Sequence, residues 1–517
     1  MKLIGLLLIA LLSPLAQSAK ILITFPFPGR SQYIFMEQYI KTLAQRGHEV
    51  TVISPFENMQ PVPNMRFIAA PKIKTIFDDI IDEISAASAW QLPMLYAKTV
   101  STVSECVLED ANVQQLLHSG ETFDLVLAEL VQTEALFAFG AHFNATLVGF
   151  SSQGNEPHID QLMGNISPVS YNPMLTSPRT SRMNYAERLA NHFDNWLARA
   201  MHWFVVKPQM RRQYERYYPT HKMPLEQAID SFALVLLGQH FSVSHVRPYL
   251  PNMIEVGGVH IANKSQPLPA AMQQFIEGAG AAGVIYFSLG SNVKSKDLPA
   301  HTRATLLQVF GRLKQRVLWK FEDEQLPAKP PNVYIAAWFP QADVLAHPNV
   351  KLFITHGGLL STMESIYYGK PVLGLPVFYD QFMNIKRASR LGYGLGLDLQ
   401  QLQPQQLQQT IETLLHTRSY AQTAAQMSER YRDQPETALE RAIWWTEHVM
   451  RHKGAPHLRA ESRNLNWLQL HSLDTLAVLL AAPLLLLYAL IRLSAGLLRL
   501  VLRRGGSKQR ADKRKKH

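Results

Sequence analysis

The stretch Trp338-Phe-Pro-Gln341 … Phe353-Ile-Thr-His356-Gly357-Gly358-Leu-Leu-Ser361-Thr-Met-Glu364 … Tyr379-Asp380-Gln381 decides how this chain folds and what it can hold. Val350–Thr355 is largely apolar and reads as a buried strand. Gly357 and Gly358 follow as a tight turn, and a helix begins around Leu359–Ser361. A helix N-terminus offers unpaired N–H groups, and glycines keep side chains out of their way, so such a turn is an anion site. His356 adds a donor for phosphate oxygens, and Glu364, a turn or more into the helix, can accept from a pair of sugar hydroxyls. The same residues also make a plain strand-to-helix turn with a capping histidine. The His-Gly-Gly piece alone does not choose between the two.

Outward from this stretch the chain alternates strands and helices. On the N-terminal side run Lys20–Phe25, a Pro/Gly loop, a helix with Phe35, Tyr39 and Leu43 on one face, and the strand Glu49–Ser54. Phe123–Ala128 and Thr146–Phe150 are further strands, while 155–230 reads as helices and loops covering the first sheet. After a Pro-rich connection come Val284–Ser288, Arg316–Phe321, Val333–Ala337, Val350–Thr355 and Pro371–Val377, and 436–465 looks helical and amphipathic. Apolar strands alternating with helices argue parallel sheets covered on both faces. The expected class is α/β, two facing doubly wound domains with ligands held beyond the carboxyl ends of the strands.

Both ends of the chain carry addresses. Met1–Ser18 has Lys2, the apolar run Leu3–Leu12 and small residues at the −3 and −1 positions before Ala19, a secretory signal peptide. Thr475–Ile491 is free of charge, between Asp474 and Arg492, and is long enough to cross a bilayer. Residues 492–517 hold ten Lys/Arg against Asp512, or +9 of the +11 total. The rest is therefore nearly neutral, which excludes a general attraction to nucleic acid. The basic flank places the tail in the cytosol and the body in the lumen, as a type I protein. Lys513 and Lys515 resemble a dilysine retrieval signal, and an endoplasmic reticulum membrane location is expected. Asn144, Asn165 and Asn263 head glycosylation triplets, and Ser167-Pro168 after Asn165 lowers its expected occupancy. One cysteine, Cys106, excludes an internal disulfide. A dehydrogenase reading fails for want of a Gly-x-Gly-x-x-Gly turn after a strand.

The 44 residues from Trp338 to Gln381 resemble the signature of the UDP-glycosyltransferase family. The resemblance extends to Phe25-Pro-Phe-Pro-Gly29, Gly47-His-Glu-Val-Thr-Val52, Phe287-Ser-Leu-Gly-Ser291, the apolar span and the tail, and the opening loop is most like insect members. It implies a GT-B fold: an acceptor-binding Rossmann-like domain (19–245) after the signal peptide (1–18), a linker (246–270), and a UDP-sugar-binding domain with returning helices (271–465). A transmembrane helix (473–491) and a basic tail (492–517) complete the expected layout.

By the same resemblance, Trp338 would stack on uracil, Gln341 would bond the base edge or ribose, and Glu364 would hold the ribose hydroxyls. Ser291, His356, Ser361 and the backbone at Gly358 would hold the diphosphate, Arg247 would line the uridine side, and Asp380 and Gln381 would bond the hexose. Leu360 replaces a polar residue of some relatives. The family uses no metal, and the chain has no Asp-x-Asp. The UDP-sugar is a co-substrate rather than a cofactor. The implied reaction is an inverting displacement of UDP by the hydroxyl of a small lipophilic acceptor, with glucose favoured over glucuronic acid. Homo- and hetero-oligomers are both compatible with the chain.

One departure matters. Relatives place a base histidine in the loop after the first strand and orient it with a carboxylate. Here those positions are Gln32 and Glu129. Glutamine accepts no proton usefully, and losing a general base typically costs about 10²–10⁴-fold. Three readings stay open: Glu129 is the base, the acceptors need little base, or the protein is a weak or inactive transferase that binds UDP-sugars or lipophiles.

Overall fold

A computed structural model describes residues 18–56, 61–87, 91–220, 223–262 and 264–514. Most of the signal peptide, Asn263 and the last three residues lie outside the described residues. Those up to Arg459 form one compact unit and those from Ala460 a second.

The first unit contains two wholly parallel sheets. One has the order β3-β2-β1-β4-β5-β6-β7, from β1 (Lys20–Thr24), β2 (Glu49–Ser54), β3 (Met65–Ala69), β4 (Leu125–Glu129), β5 (Thr146–Ser151), β6 (Phe232–Leu237) and β7 (Met253–Glu255). The other has the order β10-β9-β8-β11-β12-β13, from β8 (Val284–Ser288), β9 (Arg316–Lys320), β10 (Val333–Ala336), β11 (Val350–Thr355), β12 (Val372–Gly374) and β13 (Gly394–Gly396). Strands such as Leu125–Glu129 and Val284–Ser288 are buried along their whole length. That is the pattern of a sheet covered on both faces. The expected α/β architecture of two doubly wound halves is present.

In each sheet the order reverses beside the first strand of its half, at β1/β4 and at β8/β11. Such reversals open a crevice beyond the strand ends, where ligands bind in these folds. Gln32 and Glu129 follow the first reversal; Ser291 and His356 follow the second.

Two boundaries differ from the sequence reading. Residues 246–270 are not wholly a linker, because Met253–Glu255 pairs with β6 as the edge strand of the first sheet. The amphipathic segment 436–465 does more than lead toward the apolar span. Its helix Ala438–Arg451 crosses back to the first half, burying Ala438, Ala442, Ile443 and Val449 in the core beside helix Arg30–Gln45. Tyr39 and Thr446 share a buried hydrogen bond of 2.8 Å there. The strands β3, β6, β7 and β13 were not expected: β7 and β13 have three residues each, too short for a periodicity.

The second unit carries the helix Leu473–Arg514. Its stretch Leu473–Leu502, 30 residues, is long and apolar enough to cross a membrane, and none of it is buried in the protein. Arg492 therefore does not end the helix as the sequence reading implied.

Candidate active site

The His356-Gly357-Gly358 turn stands where β11 gives way to helix Leu359–Tyr367. Gly357 takes φ +82, and a Cβ there would lie 2.5 Å from Ile385. The His356 ring rests on two other glycines. A Cβ on Gly290 would come within 2.5 Å of it, and one on Gly358 within 2.6 Å. Only glycine leaves room for the imidazole against the backbone of both loops. Burial, aided by the charge of Lys320, pushes the His356 pKa down to about 4. At neutral pH it is thus a single N–H donor rather than a cation.

Behind the turn, Gln341 is the hub of a polar network. Its Nε2 donates to Glu364 Oε2 at 2.5 Å and to Ser361 Oγ at 3.1 Å, and its Oε1 accepts from the Tyr286 hydroxyl at 3.2 Å. Glu364 also lies 3.4 Å from His260 Nε2, and the His260 ring packs on Phe35 of the first half. The structure thus joins in one network Gln341, Ser361 and Glu364, three residues that the family resemblance assigns to different parts of the nucleotide. Tyr286 and His260 were missed: one reads as an ordinary strand aromatic, the other as part of the connection.

Trp338 is 47% exposed, with the Arg30 guanidinium 4.6 Å from its ring centre and Lys320 Nζ at 5.9 Å. Arg30 opens helix Arg30–Gln45 of the first half, so a base stacking on Trp338 shares the ring with it or displaces it. Ser291 sits in the loop after β8 and bonds Asn292 at 3.4 Å. Leu360 packs against the core cluster of the first half, which accounts for an apolar residue at this position.

Asp380 stands just before helix Gln381–Leu391 and its carboxylate accepts from Asn384 Nδ2 at 2.7 Å. Burial lifts its pKa to about 6. Gln381 turns its carbonyl oxygen onto the N–H groups of Val377 and Phe378, at 2.7 and 3.1 Å. Between these residues and the first half, the Tyr379 hydroxyl donates to Glu156 Oε1 at 2.9 Å. Glu156 Oε2 lies 3.4 Å from His158 Nδ1. Burial works to raise Glu156, but the bond and charge of His158 outweigh it and hold the carboxyl below its ordinary range. The charge of Arg247 acts on the same carboxylate and on Asp160, so Arg247 belongs to this seam between the halves.

The two residues at the expected base positions lie on different elements: Gln32 is in the first turn of helix Arg30–Gln45 rather than in the loop before it, and Glu129 ends β4. The Gln32 side chain folds back toward the N-cap, where a Cβ on Gly29 would meet its Oε1 at 2.1 Å. Glu129, at the end of β4, is 1% exposed; its Oε1 accepts from Ser152 Oγ at 3.0 Å and its Oε2 has no partner. Burial raises it to about 8, against the opposing hydrogen bond. No hydrogen bond joins Gln32 to Glu129 among the described residues. Of the glycosylation triplets, Asn144 is exposed in a left-handed C-cap with φ 52, whereas Asn165 donates to Asp160 and to the Pro248 carbonyl, at 2.7 and 2.9 Å.

Residues 19–508 match the family model "UDP-glucoronosyl and UDP-glucosyl transferase". The chain belongs to this family. UDP-glucosyltransferase 2 of Dactylopius coccus is 33% identical over 92% of this chain and 93% of its own. UDP-glucuronosyltransferase 2B13 of Oryctolagus cuniculus is 30% identical, with 93% of each covered. The fold is also that of the calicheamicin glycosyltransferase CalG4, at a TM-score of 0.56, 17% identity and coverage of 84% of this chain and 99% of that one. This is the GT-B fold, and the protein is a glycosyltransferase of the UDP-sugar-using kind. Glucosyl and glucuronosyl relatives both appear among its matches.

Proposed function

We propose that this transferase moves a hexose, glucose in preference to glucuronic acid, from its UDP-sugar to the hydroxyl of a small lipophilic acceptor, with inversion and without a metal. The observation that carries this reading is the Tyr286–Gln341–Glu364–Ser361 network next to the glycine-backed His356. Acceptors for ribose hydroxyls and N–H donors for phosphate converge there at a β8/β11 switch point. Trp338 supplies the base platform, Ser291 and the turn N–H groups hold the diphosphate, and Asp380 and Gln381 take the sugar hydroxyls. The new C–O bond forms at the anomeric carbon as its bond to UDP breaks, and UDP leaves with the electron pair. The helix N-terminus and the His356 donor stabilise the leaving charge. The glucose preference rests on likeness to the Dactylopius relatives.

The acceptor hydroxyl gives up its proton as it attacks, to water for an acidic phenol and to ionised Glu129 above about pH 8. With its pKa near 8, Glu129 holds a proton at neutral pH and becomes a base only above it. Acidic phenols, which need least base help, are the acceptors that suit this centre. We further propose a single-pass membrane protein of the endoplasmic reticulum with its body in the lumen, anchored by Leu473–Leu502. Full-length protein in microsomes, screened with UDP-glucose and UDP-glucuronate against phenols and alcohols, tests the reading. Turnover with UDP-glucose and a phenol is expected, with loss of UDP affinity in Glu364→Ala. UDP binding without turnover on any acceptor would make it a binding protein instead.

A further inference from the structure

Two cations from different halves of the molecule share one indole. The Arg30 guanidinium lies 4.6 Å from the Trp338 ring centre, and Lys320 Nζ lies at 5.9 Å. Lys320 already has an acidic partner: it is buried and donates to Glu322 Oε1 at 2.6 Å. Arg30 is exposed, and among the described residues no carboxylate pairs with it. It opens helix Arg30–Gln45, whose first turn carries no acidic residue and whose N-cap, Gly29, makes no side-chain bond. The charge at this corner of the cleft is therefore met by an aromatic face and not by an anion.

That face has a second claimant. As the base platform of the nucleotide site, Trp338 offers a half-exposed ring to uracil. Guanidinium and uracil are both planar groups that stack on aromatic faces, and one side of an indole holds one of them. A cation–π contact at an exposed ring is weak. A base that also gains the Gln341 and Glu364 contacts of its nucleotide displaces the cation.

The diphosphate, meanwhile, is short of charge to lean on. His356, with its pKa held at about 4 by burial and by Lys320, donates as a neutral imidazole. Lys320 is engaged by Glu322, and Arg247 acts on Glu156 and Asp160 in the seam. The N–H groups of the glycine turn are dipoles with partial charges only. In the metal-independent displacement proposed above, negative charge grows on the departing oxygen as the sugar bond breaks, and its stabilisation sets the barrier. A guanidinium never loses its proton at ordinary pH, and its N–H fork matches a pair of phosphate oxygens. Arg30 is the cation beside the platform that has no acid of its own.

We propose that uracil, settling on Trp338, releases Arg30 to the UDP diphosphate, where the guanidinium offsets the charge of the leaving group. The first half thereby supplies a catalytic residue to the donor. No proton moves on it: the electron pair of the broken bond stays on the β-phosphate oxygen, and Arg30 donates hydrogen bonds to it. Arg30 has this role only if Trp338 carries the base, as proposed above.

Full-length wild type, Arg30→Ala, Arg30→Lys and Trp338→Ala would be titrated calorimetrically with uridine, UMP and UDP. Arg30→Ala is expected to lose about 10-fold or more in UDP affinity, the scale of a charge-assisted pair. The loss should be smaller for UMP and absent for uridine, which then meets no competitor on the indole. Arg30→Lys should recover part of the UDP affinity. With a UDP-sugar and a phenol, Arg30→Ala should lose more in kcat/KM than in UDP affinity, because the charge on the leaving oxygen peaks in the transition state. Equal loss on all three ligands would place the guanidinium on the base, and unchanged or tighter UDP binding would make Arg30 a plug on the ring; either result overturns the proposal. Trp338→Ala separates the two levels. If it binds uridine and UDP like wild type, the nucleotide reading itself falls and the role of Arg30 with it. If it weakens both while Arg30→Ala weakens neither, only the role of Arg30 falls.

Discussion

Tyr379 of the second half donates its hydroxyl to Glu156 of the first across 2.9 Å, one residue before the expected sugar ligand Asp380. Tyr379 holds a left-handed φ of +57, and Glu156 is itself paired with His158. The bond thus ties the loop that presents Asp380 and Gln381 to the first half. A hydrogen bond to a charged group is worth about 1.5–3 kcal/mol net. Tyr379→Phe should lower kcat/KM for the UDP-sugar by about 10- to 100-fold on that scale, while UDP affinity, which the proposed site assigns to Gln341 and Glu364, stays close to wild type. Steady-state kinetics beside UDP titration checks this; equal loss in both would place Tyr379 in the nucleotide site.

The His356 ring depends on missing side chains. Gly290→Ala puts a methyl within 2.5 Å of the imidazole at a φ of +80. The left-handed backbone alone costs roughly 1–2 kcal/mol for a residue with a Cβ. The variant should melt several degrees lower and bind UDP more weakly, and His356→Ala should weaken UDP without the same loss of stability. Calorimetric UDP titrations with thermal melts separate the two effects.

Glu129 predicts a pH dependence of stability with a definite sign. The unfolded chain loses this proton near pH 4.5, the folded chain only near 8, because burial disfavours the carboxylate. Native stability from this group is therefore complete below about pH 4.5 and lost as pH rises toward 8. Glu129→Gln should match wild type at pH 4 and be the more stable protein at pH 8. Denaturant melts at the two pH values test it. If Glu129 is also the base, wild-type turnover should climb through pH 8 and the variant should lose that limb.

Gln32→His would restore a group with a reference pKa near ~6.5 at the loop position where relatives keep their base. Gains should approach the range of about 10²-fold for alcohols of high pKa and stay small for acidic phenols, since only the former depend on proton removal. Glu129, carrying a proton at neutral pH and bonded to Ser152, is a poor partner for a charged imidazole, so the gain should grow with pH. Equal rates for wild type and variant on every acceptor would remove the first turn of helix Arg30–Gln45 from the chemistry.

What the residues alone determined was local. The apolar runs at β1, β2, β8 and β11 and the glycines of the His356 turn dictate strand, turn and helix through chain-neighbour physics, whereas Gln341 and Ser361 joined Glu364 in the expected site only through the family resemblance. Tertiary structure decided what depends on distant residues meeting. Helix Ala438–Arg451 showed its amphipathic pattern, but only packing shows that its apolar face closes the first half's core. Arg30 over Trp338, Tyr379 on Glu156 and His260 beside Glu364 join residues remote in sequence, and no periodicity records such pairs. The fate of Glu129 is of the same kind. A carboxylate is written at 129, yet whether it holds its proton follows from the burial that the surrounding sheet and helices impose.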